Sequence, residues 1–293
     1  MKLILSRKGF DSSSGGFPSP VFPDGRMLSL PIPDKRSSIP YSDIRWHEHD
    51  LGSLVSQLTK FKIPASHRAH LDPDLNPESL PRLPGWRPLL GQTGAAQGHL
   101  GRRGVQDGDV FLFFGLFRRV VGTQDGLAWD KNSPPRHVIW GWLQIDHILK
   151  IDTCDRTKIG WALYHPHFHR DIEKNNTLYI AQQRLDLPGM DKVTLAGAGV
   201  FHHFSHRLQL SVSYAESPLI WALPDWCFPR GGKFPLTYHR DLSRWQQSAH
   251  GTKLQTVARG QEFVLDCDDY PESIAWLGRL LGVGIRQAAT LTI

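Results

Sequence analysis

With 293 residues, 40% of them hydrophobic and 10 of them tryptophan, the chain can bury one large core or two modest ones, which excludes a disordered polymer. Thirty-four Lys and Arg against 28 Asp and Glu give a net charge of +6, favouring an anionic partner such as a nucleotide or nucleic acid. Three cysteines without a CxxC pair exclude a disulfide framework and a thiolate zinc site and fit a reducing cytoplasm. No run of 18 apolar residues reads as a membrane span, and Arg7-Lys8 directly after Leu3–Leu5 makes a poor signal peptide.

In chain order, MKLILSR reads as a first strand and Arg26–Pro33 as a second, whose prolines confine it to an edge or a strand end. The spacing of Leu51, Leu54, Val55 and Leu58 predicts a helix over 43–61, capped by Ser42 or Asp43. Residues 62–90 form a proline-rich connector too long to be an idle loop. Gly91–Leu100 reads as a second helix. Val110–Val121 and His137–Ile151, apolar and β-branched, read as a central antiparallel pair, with further strands at Thr177–Leu187 and Arg207–Tyr214. Helix is expected at LIWALPDWC up to Pro224, at His239–Ser248 and most clearly at Tyr270–Gly282, where Ile274, Leu277, Leu280 and Leu281 share one face. No repeat or linker interrupts the pattern. The expectation is therefore a single integrated α+β domain over 1–293: a central, mostly antiparallel sheet or partly closed barrel with peripheral helices.

The stretch SRKGFDSSSGG (Ser6–Gly16) collects what a phosphate needs: cations at Arg7 and Lys8, hydroxyls at Ser12, Ser13 and Ser14, and glycines that let a backbone approach. It is neither GxxxxGK[ST] nor GxGxxG, and a solvated turn has the same composition. HLDPDL offers His70 with Asp72 and Asp74, able to hold a divalent ion or to act as acid or base; Asp-Pro equally starts turns. In YHPHFHRD an extended chain would point His165, His167 and His169 to one face as metal ligands, although Pro166 interrupts a strand.

GQTGAAQGHL followed by RRG either packs tightly or brings Gln97 and His99 to a base edge, with Arg102 and Arg103 near phosphate. Arg118, in GLFRRV, is a further candidate for an anion. RGQEFVLD sets Arg259, Gln261 and Glu262 at the start of a strand, with Glu262 and Asp266 on one side as a carboxylate pair. GxSxG, HExxH and zinc-deaminase signatures are absent.

Taken in order, SRKGFDSSSGG, LPIP, HLDPDL, GQTGAAQGHL, GDVFLFFGLFRRV, HVIWGWLQI and RGQEFVLD resemble the third family of nucleotide-modification-associated domains, proteins linked to DNA base-modification systems. The likeness runs over nearly the whole chain. GDVFLFFGLFRRV and HVIWGWLQI are also similar to the core of PUA-like domains, including the ASCH and EVE groups, small β-barrels that bind RNA or modified bases. The resemblance implies a nucleotide- or nucleic-acid-directed protein and supplies no catalytic residues and no cofactor.

In the reading that follows, Arg7, Lys8 and Ser12–Ser14 hold phosphate, while Asp11, His70, Asp72, Gln97 and His99 lie near base or sugar. Trp140 or Trp142 is the candidate for stacking on a base. Asp11, His70, Asp72 and Glu262 are the candidates for transferase or hydrolase chemistry on a nucleotide. Two alternatives stay open: a non-catalytic reader of modified DNA bases, and a metal-dependent hydrolase organised by His165, His167 and His169.

Overall fold

The computed structural model describes residues 1–282 apart from 48, 125, 170–172, 174, 191–193, 250, 259 and 261. Nine strands build the main sheet: β1 (Lys2–Arg7), β2 (Ser19–Val21), β3 (Leu89–Gln92), β4 (Val110–Thr123), β5 (Gly126–Trp129), β6 (Arg136–Lys150), β7 (Thr177–Ala181), β8 (Ala198–Val200) and β9 (Glu262–Asp266). Its main path is β9-β1-β4-β6-β7-β3, with β8 beside β6 and with β2 and β5 beside β4. β1 and β2 run parallel to β4 and the other pairs are antiparallel. The α+β class is as expected. Of the two forms expected, the sheet is the one present: its path is open, and no closed PUA-like barrel forms among the described residues.

The two long apolar runs are the ribs of this sheet. β6 buries ten consecutive residues from Arg136 to Ile145, and β4 buries Val110 to Gly115 without a break. Such runs do not alternate because both faces of the sheet are covered. Phe114 sits at the centre of one face, its ring 5.3 Å from His137, 5.1 Å from Trp221 and 6.1 Å from Phe263.

Three α-helices among the described residues pack around the sheet: α1 (Leu51–Leu58), α2 (Gly94–Arg102) and α3 (Glu272–Leu281). α1 is shorter than its periodicity predicts. Its cap is Asp50, whose carboxylate accepts from the Ser53 amide at 2.7 Å, and not Ser42 or Asp43. The chain before it is extended, Arg45–Trp46 pairing with His49–Asp50. α2 starts three residues later than expected, because Leu89–Gln92 is taken into the sheet as β3.

The C-terminal part departs most from the sequence reading. Ile220–Leu223 and Trp245–Ser248, both expected helical, are strands that flank Gly251–Gln255 in a separate three-stranded sheet. Short apolar runs carry no decisive periodicity, so long-range pairing assigns them. Arg207–Tyr214 forms a short 3-10 turn at His206–Leu208 and isolated bridges, not a strand. α3 is as expected, ending at Gly282 with φ of 73°.

Because Phe114 is almost fully buried among aromatic rings, Phe114→Ala is expected to destabilise the protein by about 3–5 kcal/mol. Urea unfolding monitored by tryptophan fluorescence checks this through a lower midpoint at unchanged slope.

Candidate functional site

Three separate segments meet at Asp72. The first is the short pairing of Ile32–Pro33 with Ala69–His70, which brings Asp34 up to His70. His70 Nδ1 lies 3.0 Å from Asp34 Oδ2. The second is β3, whose Gly91 amide donates to Asp72 Oδ1 at 2.6 Å. The third is the 3-10 turn Pro166–Phe168, which carries His167. His167 Nδ1 lies 2.6 Å from Asn176 Oδ1, and the Asn176 amide donates back to the His167 carbonyl at 2.8 Å.

These partners fix the imidazole tautomers. Asp34 Oδ2 and Asn176 Oδ1 accept, so Nδ1 of each histidine carries a proton and Nε2 is the atom turned toward Asp72. Both Nε2 atoms face the same carboxylate oxygen, Asp72 Oδ2, at 3.6 Å from His70 and 3.7 Å from His167. One potential ligand atom from each residue falls within 4.8 Å of the other two. The separations exceed hydrogen-bond length. They are close to the roughly 3–3.5 Å between ligands that each sit about 2.1 Å from a shared ion. A carboxylate or carbonyl on the outer nitrogen of a ligating histidine is the usual support in metal centres.

The electrostatics favour the same reading. Burial alone would raise the Asp72 carboxyl, but the imidazoles of His165 and His70 outweigh it and hold Asp72 well below the usual carboxylate range. Burial drives His167 down to about 3, so it is neutral at pH 7 with its lone pair available. His165 is fully buried on the other side of the carboxylate, its Nε2 3.3 Å from Asp72 Oδ1 but out of line for a hydrogen bond. Close packing holds the arrangement. A Cβ on Gly91 would fall 2.3 Å from the His167 ring, so only glycine lets β3 and the histidine turn approach this closely.

His70, Asp72 and His167 form part of the wall of a cavity of about 730 Å³. The sequence-predicted residues Arg7, Lys8, Asp11, Ser12, Ser13, Ser14 and Glu262 line it too. Within it the serine loop is closed on itself. Asp11 Oδ1 accepts from the Ser13 amide, the Ser13 hydroxyl and the Ser14 amide at 2.7–2.8 Å, while Asp11 Oδ2 pairs with Arg7 at 2.8 Å. Burial acts against the charge on Asp11, yet Ser13 and Arg7 keep its carboxyl below the usual range. The Asp11 carboxylate thus stands where the sequence reading places a phosphate, and a bound anion must share these donors with it.

Glu262 is buried at the start of β9, opposite Ser6 of β1 in the strand register. Its Oε1 accepts from Ser6 Oγ and Lys8 Nζ at 3.1 Å and from Gln92 Nε2 at 2.5 Å. Burial raises its carboxyl, against the pull of Lys8 and the hydrogen bonds.

Other predicted residues are not on this wall. Gln97 accepts from the Tyr179 hydroxyl at 2.8 Å, and His99 is buried against Thr237 at 3.1 Å. The Arg118 guanidinium donates to the carbonyls of Asp130 and Ser133 beside a separate small pocket. Trp140 and Trp142 are both buried in the core. Arg259 and Gln261 lie outside the described residues.

The histidine geometry also changes. Pro166 opens a 3-10 turn in place of an extended chain, so His165 and His167 turn toward Asp72 while His169 ends the turn exposed. Of the three histidines only His167 joins the convergent set, in which His70 and Asp72 stand in place of His165 and His169. Asp34, Asn176, Gly91, Gln92 and Tyr238 were not singled out in the sequence. Only Asp34, in a polar turn next to LPIP, carried a local signal.

The long connector has a task here. Arg82 donates to both oxygens of Asp74 at 2.6 and 2.7 Å, and the Tyr164 hydroxyl donates to the same carboxylate at 2.5 Å. This clasp ties the Asp72 segment to the histidine turn. Asp74 is almost fully buried, so Asp74→Asn breaks a bidentate pair and is expected to cost about 3–5 kcal/mol in urea unfolding, whereas replacing the exposed Asp155 by Asn leaves the midpoint nearly unchanged.

No helix among the described residues is long and apolar enough to cross a membrane. Residues 2–266 match the family model described as nucleotide modification associated domain 3. No curated protein and no solved structure matches the chain. The match covers most of the chain and includes every residue of the cluster around Asp72: this protein belongs to the nucleotide modification associated domain 3 family.

Proposed function

We propose that the protein is a metal-dependent enzyme acting on a nucleotide, or on a nucleotide within nucleic acid, in a base-modification system. One observation carries the proposal: the convergence of His70 Nε2, His167 Nε2 and Asp72 Oδ2 on one point of the cavity wall, with Asp34 and Asn176 behind the imidazoles. Two imidazoles and one carboxylate suit zinc, iron, manganese or cobalt better than calcium or magnesium, which favour all-oxygen sites. Three protein ligands leave positions open toward the cavity for water and a substrate oxygen, the arrangement of a catalytic rather than a structural ion.

Hydrolysis or group transfer on a nucleotide is the reaction class that this supports. The cavity volume of about 730 Å³ falls in the range of small-molecule sites. Arg7, Lys8 and the serine hydroxyls supply donors on its wall for the anionic part of such a substrate. Family membership supplies the nucleotide context.

Elemental analysis of protein purified without chelator tests the proposal. About one divalent ion per chain is expected, falling at least tenfold in Asp72→Asn. Gly91→Ala, which drives the His167 ring aside without removing a ligand, is expected to weaken metal binding about tenfold or more with the far-UV spectrum retained. Stoichiometric metal that persists in both variants would place the ion elsewhere and overturn the reading.

A further inference from the structure

The cavity has a second chemically distinct part, built around Glu262. All three donors to this carboxylate, from Ser6, Lys8 and Gln92, converge on Oε1. Its other oxygen, Oε2, is buried and has no hydrogen-bond partner among the described residues. A carboxylate oxygen taken out of water without a donor is costly, and such a group calls for a partner that arrives from outside the protein.

Tyr238 lies on the same cavity wall. It is 49% exposed, although bulky aromatic side chains are normally covered, and its ring leans on His99 with centroids 4.5 Å apart. Its backbone φ is +69°, a left-handed conformation that a residue with a large side chain rarely adopts. The surroundings hold it there: the neighbouring Thr237 is pinned between His99 and the Val264 amide of β9. Strain of this kind, on an exposed ring facing a cavity, is characteristic of ligand sites.

We infer that Glu262 and Tyr238 form a base-recognition subsite, in which Glu262 Oε2 accepts a hydrogen bond from an N–H of a nucleobase stacked on the Tyr238 ring. Burial, which raises the Glu262 carboxyl, makes this carboxylate the more ready to accept an N–H. The inference rests on the nucleotide part of the proposed function and is independent of the metal.

Isothermal titration separates the two. The probes are the nucleoside 5′-monophosphates and, as a baseless control, ribose 5-phosphate. The unmodified protein is expected to bind at least one nucleoside monophosphate about tenfold or more tighter than ribose 5-phosphate, the size of a stacked, hydrogen-bonded base. In Glu262→Gln the three donors keep the amide oxygen at the Oε1 position, so an NH2 group replaces the acceptor. Most of the discrimination should then be lost. Tyr238→Ala should lose about tenfold of it and Tyr238→Phe should keep it, with affinity for ribose 5-phosphate unchanged in both Tyr238 variants and metal content unchanged in all three.

Equal affinity of the unmodified protein for base-bearing and baseless probes would overturn the inference. So would full discrimination in Glu262→Gln. If Glu262→Gln does not fold, the Tyr238 pair decides alone, and full discrimination in Tyr238→Ala overturns the inference. Discrimination in a protein that holds no metal removes the metal reading and leaves the subsite standing. Metal without discrimination does the reverse.

Discussion

Asp72 is a carboxylate kept charged where water barely reaches, and the arrangement around it is what the rest of the site depends on. Left alone, burial would neutralise it; an imidazole on either side and a backbone amide on Oδ1 prevent that. Because Oδ1 is held by the Gly91 amide, Oδ2 is the oxygen presented to His70 and His167. The two histidines are themselves oriented from behind by Asp34 and Asn176. Each polar group has a neighbour that fixes its direction. That is how a cluster of weakly basic groups becomes a defined set of ligand atoms.

The fold supplies the precision. β4 and β6 make a rigid, aromatic-rich sheet, and β3 joins its edge through β7, so Gly91 is placed by strand register and not by loop conformation. The same register sets Glu262 of β9 across from Ser6 of β1 and within reach of Lys8. The catalytic candidates on loops, Asp72 and His167, are tied together by the Asp74–Arg82–Tyr164 clasp that the proline-rich connector contributes. Loops carry the convergent groups and strands hold the loops in place.

The parts of the fold legible in the sequence were those with strong local patterns. The apolar runs of β4 and β6 and the one-faced helix α3 stand out because burial on both faces, or on one, leaves a long periodic trace. Ile220–Leu223 and Trp245–Ser248 do not, since four residues of strand paired to a distant partner look like a turn of helix. In the site, the local groupings at Arg7–Ser14, at His70–Asp72 and at Glu262 were visible as residue types. Their meeting at one cavity was not, because it depends on pairings between residues up to 256 positions apart. The histidine run misled for a physical reason: alternation predicts a shared face only in an extended chain, and Pro166 makes a turn. In the serine loop, residue types showed the donors but not their partner: the Ser13 amide and hydroxyl and the Ser14 amide turn inward onto Asp11.

The central claim is that His70, Asp72 and His167 hold one catalytic ion on the wall of a nucleotide cavity. X-ray absorption at the zinc edge of zinc-loaded protein addresses it most directly. The expected result is two imidazole nitrogens, marked by their multiple scattering, and one carboxylate oxygen at about 2.0–2.2 Å, with water oxygen completing the sphere. A shell of oxygens without the multiple-scattering pattern of imidazole would contradict it.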